Sequence, residues 1–237
     1  MDRTPENIVA EQTRLLFASA LLPIVVSVLA AALLVVTLWT GIDHRLLVGW
    51  FLALALVSAL RLRIVSQYSS QGRHDSGNQE YWHLRFLIGN YISALIWGSS
   101  SFIIFPEHSL SLQIVYFMVM VGMAAGGVSS LCPSFRAVAG FLTFILFPII
   151  LKLLLYMTLP ALLKAFLVFL FWYVTVSGSK NINLYIRENI ELRQQSINRE
   201  KILKISEERY RHIFSNAPLG ILQYDSDGRI LDCNEEL

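Results

Sequence analysis

Charged residues are scarce in this chain. Asp, Glu, Lys and Arg make up 15% of its 237 residues, whereas soluble globular domains carry about 25%. Hydrophobic residues make up 55%, and the mean hydropathy is +0.55. This composition lies outside the range of soluble domains and predicts a membrane protein, with the lipid bilayer as its first partner.

Cysteine is almost missing as well. The two cysteines, Cys132 and Cys233, are too few for a disulfide framework. With the topology predicted below, both face a reducing compartment, so we expect free thiols.

Catalytic motifs are also lacking. The sequence contains no G-x-x-x-x-G-K, no H-E-x-x-H and no nucleophile elbow. We therefore expect no catalytic residue, no identifiable cofactor and no metal in this segment, since His44 and His108 are isolated imidazoles without a third ligand. The basic residues do not form a basic face, which speaks against a nucleic-acid partner.

The chain contains six long runs of apolar residues. Six runs of about twenty residues match the thickness of a bilayer and predict an all-α six-transmembrane helix bundle. The predicted spans are 15–39, 46–64, 86–105, 112–131, 137–156 and 161–177, within a membrane domain covering residues 1–179. We expect Pro23 to kink the first span, and its neighbours to accommodate the break.

None of the six runs contains Asp or Glu. Pumps and proton-coupled carriers rely on carboxylates inside the membrane, and the paired interrupted helices of secondary transporters are not evident. A small transporter or channel is therefore the alternative from another functional class, and a continuous polar path through the helices would favour it.

The basic residues between the runs predict the orientation. Most fall on one side of the predicted membrane, and the positive-inside rule makes that side cytoplasmic. This places both termini in the cytoplasm, in a bacterial inner membrane. The residues on this side are Arg3, Arg14, Arg61, Arg63, Arg73, Arg85, Arg136 and Lys180, against Arg45, Lys152 and Lys164 on the other.

A few residues inside the spans are candidate ligand or packing positions. They are Asn90, Trp97, Ser100, Gly122, Gly126, Lys152 and Lys164. The small residues between Gly122 and Gly127 allow another helix to approach closely. We expect a packing role for them, and the functional alternative is a sliding or dimer contact.

The two lysines lie near the outer ends of the fifth and sixth spans. We expect Lys152 and Lys164 to extend to lipid headgroups. The alternative is that they form an anion-binding pair.

A long charged helix is predicted after the last span, over residues 180–206. Oppositely charged residues recur there at helical spacing, and proline is absent. Its apolar positions form an imperfect coiled-coil seam, because the heptad partners of Ile186 are Arg193 and Glu200. We predict a parallel homodimer through this signalling helix, with a monomeric solvated helix as the alternative. The seam residues are Ile182, Ile186, Ile190, Ile197 and Leu203.

The last segment, 207–237, reads as a helix end followed by a β-hairpin. Pro218 stops the helix, and the run Asp225-Ser226-Asp227-Gly228 predicts a tight turn between two strands. A calcium loop is a poor alternative, because the remaining ligands of such a loop are missing.

These residues carry a resemblance. The run E-R-Y-R-H-I-F-S-N-A-P-L-G-I-L-Q-Y-D-S-D-G-R-I-L-D-C-N, residues 208–234, resembles the opening of a PAS domain, an α+β fold. The chain ends at residue 237, before the ligand-lining part of such a domain. The matching signature positions are Pro218, Gly220, Asp225, Asp227, Gly228 and Asn234.

The six-span part also carries a resemblance, through E-Q-T-R-L-L-F, W-G and V-G-M-A-A-G-G-V-S-S-L. It looks like the integral-membrane sensory domains that precede PAS and GGDEF/EAL or histidine-kinase modules in bacteria. The resemblance implies a signal-transduction module that responds to a small-molecule or membrane stimulus. It also implies an output enzyme beyond residue 237, for which we favour cyclic-di-GMP synthesis or hydrolysis. A sensor histidine kinase is the alternative.

Overall fold

The computed structural model describes residues 5–72 and 78–234. The described helices are α1 (Pro5–Ala18), α2 (Leu21–Leu38), α3 (His44–Gln67), α4 (Gln79–Ile103), α5 (Leu110–Leu131), α6 (Phe135–Leu155) and α7 (Leu159–Ser215), with a π-helical turn (Tyr68–Gly72) after α3. The strands β1 (Leu222–Tyr224) and β2 (Ile230–Cys233) follow. Parts of the predicted membrane domain, 1–4 and 73–77, and of the predicted PAS segment, 235–237, lie outside the described residues.

The chain divides into two units, Met1–Ile186 and Arg187–Leu237, and the division falls inside α7. The first unit is a bundle of helices. The second consists of the remainder of α7 and the small sheet.

Six described helices are long and apolar enough to cross a membrane, which agrees with the predicted number. They are α2 to α7, with α3 continuing to Ser70. The predicted first span began at residue 15, but the structure divides it between α1 and α2, so that the first candidate span begins at Leu21.

Proline chemistry explains this division. Pro23 has no N–H to donate to the carbonyl of Ser19, and its ring crowds that carbonyl. The chain leaves the helical path at Ser19 and Ala20, directly before α2. The Ser19 hydroxyl donates to the carbonyls of Leu15, at 3.0 Å, and of Ser130 at the end of α5, at 3.1 Å. The break is therefore stabilised by contacts with α5.

Helix α4 is at the centre of the first unit. It packs most extensively on α6 and also contacts α3 and α1. Its side chains Ala94, Trp97, Ser100 and Ser101 are fully buried. The indole of Trp50 on α3 meets that of Trp97 edge to face, at 5.2 Å between ring centroids. The residues that α4 carries inward therefore define the interior of the bundle.

Close approach of α4 and α6 depends on a glycine and a proline. Pro148, inside α6, leaves the carbonyl of Phe144 without its usual helical donor. Gly98 of α4 lies against this carbonyl, because a Cβ built on Gly98 would be 2.2 Å from the oxygen of Phe144. A side chain at position 98 would force the two helices apart.

The small sheet belongs to the second unit. β1 and β2 pair antiparallel, with a register shift between Gln223 and Tyr224. The turn between them has Gly228 at φ +80°, a conformation that favours glycine. The structure thus contains the hairpin that the sequence predicts.

Candidate functional site

A cavity of about 220 Å³ lies among the helices of the first unit. Its wall brings together four of the candidate positions, namely Asn90, Trp97, Gly122 and Gly126. The other lining residues are Leu16, Ala20, Leu22, Pro23, Val26, Ser27, Arg61, Phe86, Ser93, Met123, Gly127, Ser129, Ser130, Leu131 and Phe141. We call it the arginine cavity after its one charged lining residue.

Arg61 reaches the cavity from α3 by lying against α4. Its aliphatic stem passes Gly89, where a Cβ would come within 3.2 Å of Arg61 Cγ. The guanidinium then donates from Nη1 to the hydroxyl of Ser93, at 3.2 Å. Ser93 in turn donates to the carbonyl of Gly89, at 3.1 Å. The glycine therefore leaves the space through which the arginine enters.

The other polar groups of the wall are held in place by neighbouring helices. Asn90 donates from Nδ2 to the carbonyl of Ala137 on α6, at 3.3 Å. The indole N–H of Trp97 donates to Ser27 Oγ on α2, at 2.8 Å. Buried polar groups that are paired in this way resist rearrangement, so the wall is preorganised.

The cavity passes from buried to exposed lining residues. Trp97 is fully buried, whereas Leu22 on α2 has an exposed fraction of 73%. Gly122 and Gly126 on α5 are also exposed, and a Cβ at either would meet nothing within 4 Å. Gly122 and Gly126 therefore line the cavity. The close helix packing predicted for this stretch is found at Gly127, which lies against the ring of Phe141.

Ser100 lies elsewhere in the core. Its hydroxyl donates to the carbonyl of Trp97 and lies 2.7 Å from the hydroxyl of Tyr116 on α5. Both side chains are fully buried. Ser100 therefore links α4 and α5 as a packing residue.

The two candidate lysines have separate partners. Lys152 Nζ lies 2.6 Å from a carboxylate oxygen of Glu107, and Lys164 Nζ donates to Gln113 Oε1 at 3.0 Å. Both partners are between α4 and α5 or early in α5. The geometry thus assigns each lysine to its own neighbour.

The Lys152–Glu107 pair predicts a pH-dependent stability. Hydrogen bonds from Lys152 and then Tyr156 lower the pKa of the Glu107 carboxyl below its usual value of 4.5. A carboxyl with a lowered pKa stabilises the fold above its unfolded pKa, and this contribution is lost as the pH falls through the folded pKa. The Glu107 side chain is 43% exposed, so the effect should stay below about 1 kcal/mol.

We expect Glu107→Gln to lower the thermal unfolding midpoint slightly at neutral pH. The difference from wild type should shrink as the pH falls below about 4.5 and vanish below the folded pKa of Glu107. A matched control is Glu188→Gln, at an exposed position on α7. A difference that persists unchanged into acid would contradict the assigned role of the pair.

A polar cluster surrounds the turn between α5 and α6. Thr13 Oγ1 lies 3.2 Å from His83 Nδ1, and Ser134 Oγ lies 3.4 Å from His83 Nε2. The Thr13 hydroxyl donates to the Val9 carbonyl. In the bond between the two side chains, His83 Nδ1–H therefore donates to Thr13 Oγ1. His83 Nε2 then accepts from the hydroxyl of Ser134. His83 thus links α1 to the turn.

Asn183 of α7 holds the same turn from another side. Its amide nitrogen Nδ2 donates to the carbonyls of Cys132, at 3.1 Å, and Pro133, at 2.8 Å. The residue is buried, with an exposed fraction of 5%. We call Thr13, His83, Ser134 and Asn183, with these two carbonyls, the turn cluster.

The seam residues of α7 are accessible in the single chain. Ile186 and Ile190 are half-buried, whereas Ile182, Ile197 and Leu203 are exposed. Their pairing with a second chain stays a prediction.

The predicted PAS signature residues organise the hairpin. Asp225 Oδ1 accepts from the N–H groups of Asp227 and Arg229, both at 2.9 Å. Asn234 Oδ1 accepts from Ile221 N–H at 2.7 Å, and its Nδ2 donates to the carbonyl of Leu219 at 2.9 Å. Pro218 and Gly220 lie between the end of α7 and β1. Asn234 therefore ties the end of β2 to the segment before β1.

Sequence reasoning missed Arg61, His83 and Asn183 as site residues. Arg61 was counted only as a basic residue of the cytoplasmic side. An arginine several residues before the end of an apolar run, opposite a glycine on the next helix, was the available signal. For His83 and Asn183 the partners are backbone carbonyls and hydroxyls distant in sequence, which no local pattern indicates.

No family model, no curated protein and no solved structure matches this chain.

Proposed function

We propose that this chain is the membrane sensory and signal-transduction module of a bacterial inner-membrane receptor. In this proposal the helices α2 to α7 cross the membrane, both termini are cytoplasmic, and α7 relays a change in helix packing. The output would be an enzyme beyond residue 237, most readily one of cyclic-di-GMP synthesis or hydrolysis, with a histidine kinase as the alternative. The output part rests on the sequence resemblance alone.

The observation that carries the proposal is the double hydrogen bond of Asn183. A single side chain on α7 engages two successive carbonyls of the turn between α5 and α6. If α5 or α6 shifts, these bonds have to break or α7 has to follow. Leaving buried polar groups unpaired costs about 1–3 kcal/mol, so following is the favourable response.

The position of the turn cluster supports a relay toward the cytoplasm. It lies at the ends of the helices where Arg14, Arg85, Arg136 and Lys180 are found, the side that the positive-inside rule makes cytoplasmic. His83 connects the same turn to α1 and α4. Five helices, α1, α4, α5, α6 and α7, thus meet at the turn cluster.

The PAS part of the proposal rests on the hairpin. Asp225, Gly228 and Asn234 hold a turn and a strand end with their own side chains and backbone. A two-stranded sheet is marginal alone, so we propose that it is completed by further PAS strands. Such a domain would receive the change in α7.

Cysteine crosslinking of the full chain in membranes tests the relay. Cys132 and Cys233 are first replaced by serine, and single cysteines are then introduced at seam position Ile190 and at neighbouring Glu188. We expect a disulfide between copies to form faster at position 190. Asn183→Leu should reduce the ratio of the crosslinking rate at position 190 to that at position 188, because the orientation of α7 is no longer fixed. We expect a reduction of about fivefold or more, which corresponds to about 1 kcal/mol.

The matched control is Asn181→Leu, at an exposed position two residues earlier on α7. It should leave the ratio unchanged. Single cysteines at the other seam positions from 182 to 203 extend the test, and if none of them forms a disulfide between copies, the paired-helix model is wrong. If Asn183→Leu behaves like Asn181→Leu, the relay through the turn cluster is wrong.

A further inference from the structure

We propose that the arginine cavity binds the anionic headgroup of an amphipathic molecule, with Arg61 as its counter-charge. The headgroup would be a carboxylate or a phosphate, and the apolar remainder would extend outward between α2 and α5. The inference rests on the proposed membrane location, but it does not depend on the relay through α7.

Arg61 has no counter-charge within the described chain. Among the residues that the structure describes, the guanidinium of Arg61 forms one hydrogen bond, to Ser93, and no ion pair. A guanidinium has five N–H donors in a planar fork that matches carboxylate and phosphate oxygens. Charged groups inside apolar bundles are stable only when paired, so an external anion would complete this site.

The side chain of Arg61 points into the bundle. An arginine near the end of an apolar helix commonly extends to the lipid headgroups. Arg61 instead lies against α4 at Gly89 and donates to Ser93 on the same helix. Arg63, two residues further on the same helix, is exposed. The two arginines of α3 therefore differ in environment, and only Arg61 lines the cavity.

The wall of the arginine cavity is amphipathic. Polar groups near Arg61 come from Asn90 and Ser93, whereas Trp97, Phe86 and Phe141 supply apolar surface. The volume of about 220 Å³ corresponds to about seven waters at their share of liquid volume, enough for a headgroup and a short stretch of alkyl chain. A longer ligand has to continue outside the cavity.

The arginine cavity extends to the surface of the bundle between α2 and α5. Its lining ends at Leu22 and Val26 on α2 and at Gly122 and Gly126 on α5, all exposed. In a membrane these positions face lipid chains. The two glycines leave space where any larger residue would narrow the opening. An amphiphile that enters from the bilayer fits this arrangement better than a free inorganic anion, which would have to cross hydrocarbon.

Quenching of tryptophan fluorescence tests the proposal on the full chain in nanodiscs of zwitterionic phosphatidylcholine. The probes are bromododecanoate and its uncharged analogue bromododecanol, since bromine quenches an indole that it contacts and Trp97 lines the cavity. We expect saturable quenching by the acid. Arg61→Gln should weaken it about tenfold or more, as expected for loss of a charge-assisted hydrogen bond.

Two variants are controls. Arg63→Gln removes the same charge from an exposed position of α3 and should leave the saturation unchanged. Arg61→Lys keeps the charge and should retain more binding than Arg61→Gln. If Arg61→Gln fails to fold, the proposal is still tested by comparing the quenching of wild type by bromododecanoate with that by bromododecanol. Equal saturation by the two probes, or equal binding by wild type and Arg61→Gln, would overturn the proposal.

The source of the headgroup is distinguished by adding phosphatidylglycerol to the nanodiscs. If phosphatidylglycerol competes with bromododecanoate for the cavity, quenching saturates at a higher bromododecanoate concentration. Such a shift in wild type but not in Arg61→Gln supports an anionic phospholipid as the ligand. No shift, with binding retained, supports a free fatty acid. Crosslinking at position 190 and quenching near Trp97 are separate measurements, so failure of the relay and failure of the ligand site are distinguishable.

Discussion

Gly98→Ala is expected to weaken the packing of α4 on α6 and to lower the stability of the bundle. The new Cβ would be 2.2 Å from the backbone oxygen of Phe144 and 2.8 Å from Pro148 Cγ. A backbone atom cannot move aside as a side chain can, so the helices have to separate. Overpacking in a core costs about 1–3 kcal/mol, and we expect this substitution at the upper end. The thermal unfolding midpoint of the detergent-solubilised protein measures the effect.

Gly122→Ala is the matched control, since a Cβ there meets nothing within 4 Å and alanine is a better helix former than glycine. We expect the midpoint of this variant to equal or slightly exceed that of wild type. Equal midpoints for the two alanine variants would show that α4 and α6 do not pack as described.

Trp97→Ala is expected to have the second large effect. Trp97 is fully buried, contacts Trp50 edge to face, and donates its indole N–H to Ser27. Removing a buried aromatic side chain from a core costs about 3–5 kcal/mol, because the neighbours fill the vacated space only partly. The variant also leaves the hydroxyl of Ser27 without this donor. Denaturant titration followed by the loss of helical circular dichroism measures the cost.

Trp39→Ala serves as the comparison, because Trp39 has an exposed fraction of 44% at the end of α2. Its substitution should cost less than about 1 kcal/mol, as is usual for surface positions away from special features. A loss of stability as large as that of Trp97→Ala would mean that burial does not distinguish the two tryptophans.

The number of apolar helices could be predicted because it follows from composition alone. Runs such as 112–131 contain no charge and are long enough to cross a bilayer, so their helical state follows from the need to satisfy backbone groups. The division between α1 and α2 at Ser19 was harder to predict. The sequence shows Pro23, but whether a proline bends a helix or divides it depends on contacts with other helices, here the hydrogen bond from the Ser19 hydroxyl to the carbonyl of Ser130.

Side-chain roles inside the bundle were harder to predict than the helices. The sequence shows small residues at Gly98, Gly122, Gly126, Gly127 and Gly140 alike. In the structure a Cβ at Gly98, Gly127 or Gly140 would collide with α6 or with Tyr91 or Phe141, whereas one at Gly122 or Gly126 would meet open space. The difference comes from the rotation of each helix about its axis. A helix that is apolar on all sides has no distinct hydrophobic face, so its sequence does not predict this rotation.

The hairpin is the opposite case. Its turn is specified by Asp225 and Gly228, whose preferences act within a few residues, and the structure places a hydrogen-bonded turn there. Asn234 could be recognised as a signature position, but its bonds to Leu219 and Ile221 became visible only once both strands were in place.

The sequence by itself determined the six long apolar helices, the continuation of the last one into a charged helix, and the turn of the hairpin, because each depends on local periodicity, length or turn chemistry. Only the tertiary structure decided that Arg61 enters the bundle at Gly89, that Gly122 and Gly126 line a cavity, and that Asn183 holds the turn after α5. These contacts join residues far apart in the chain, and they depend on how the helices rotate and cross.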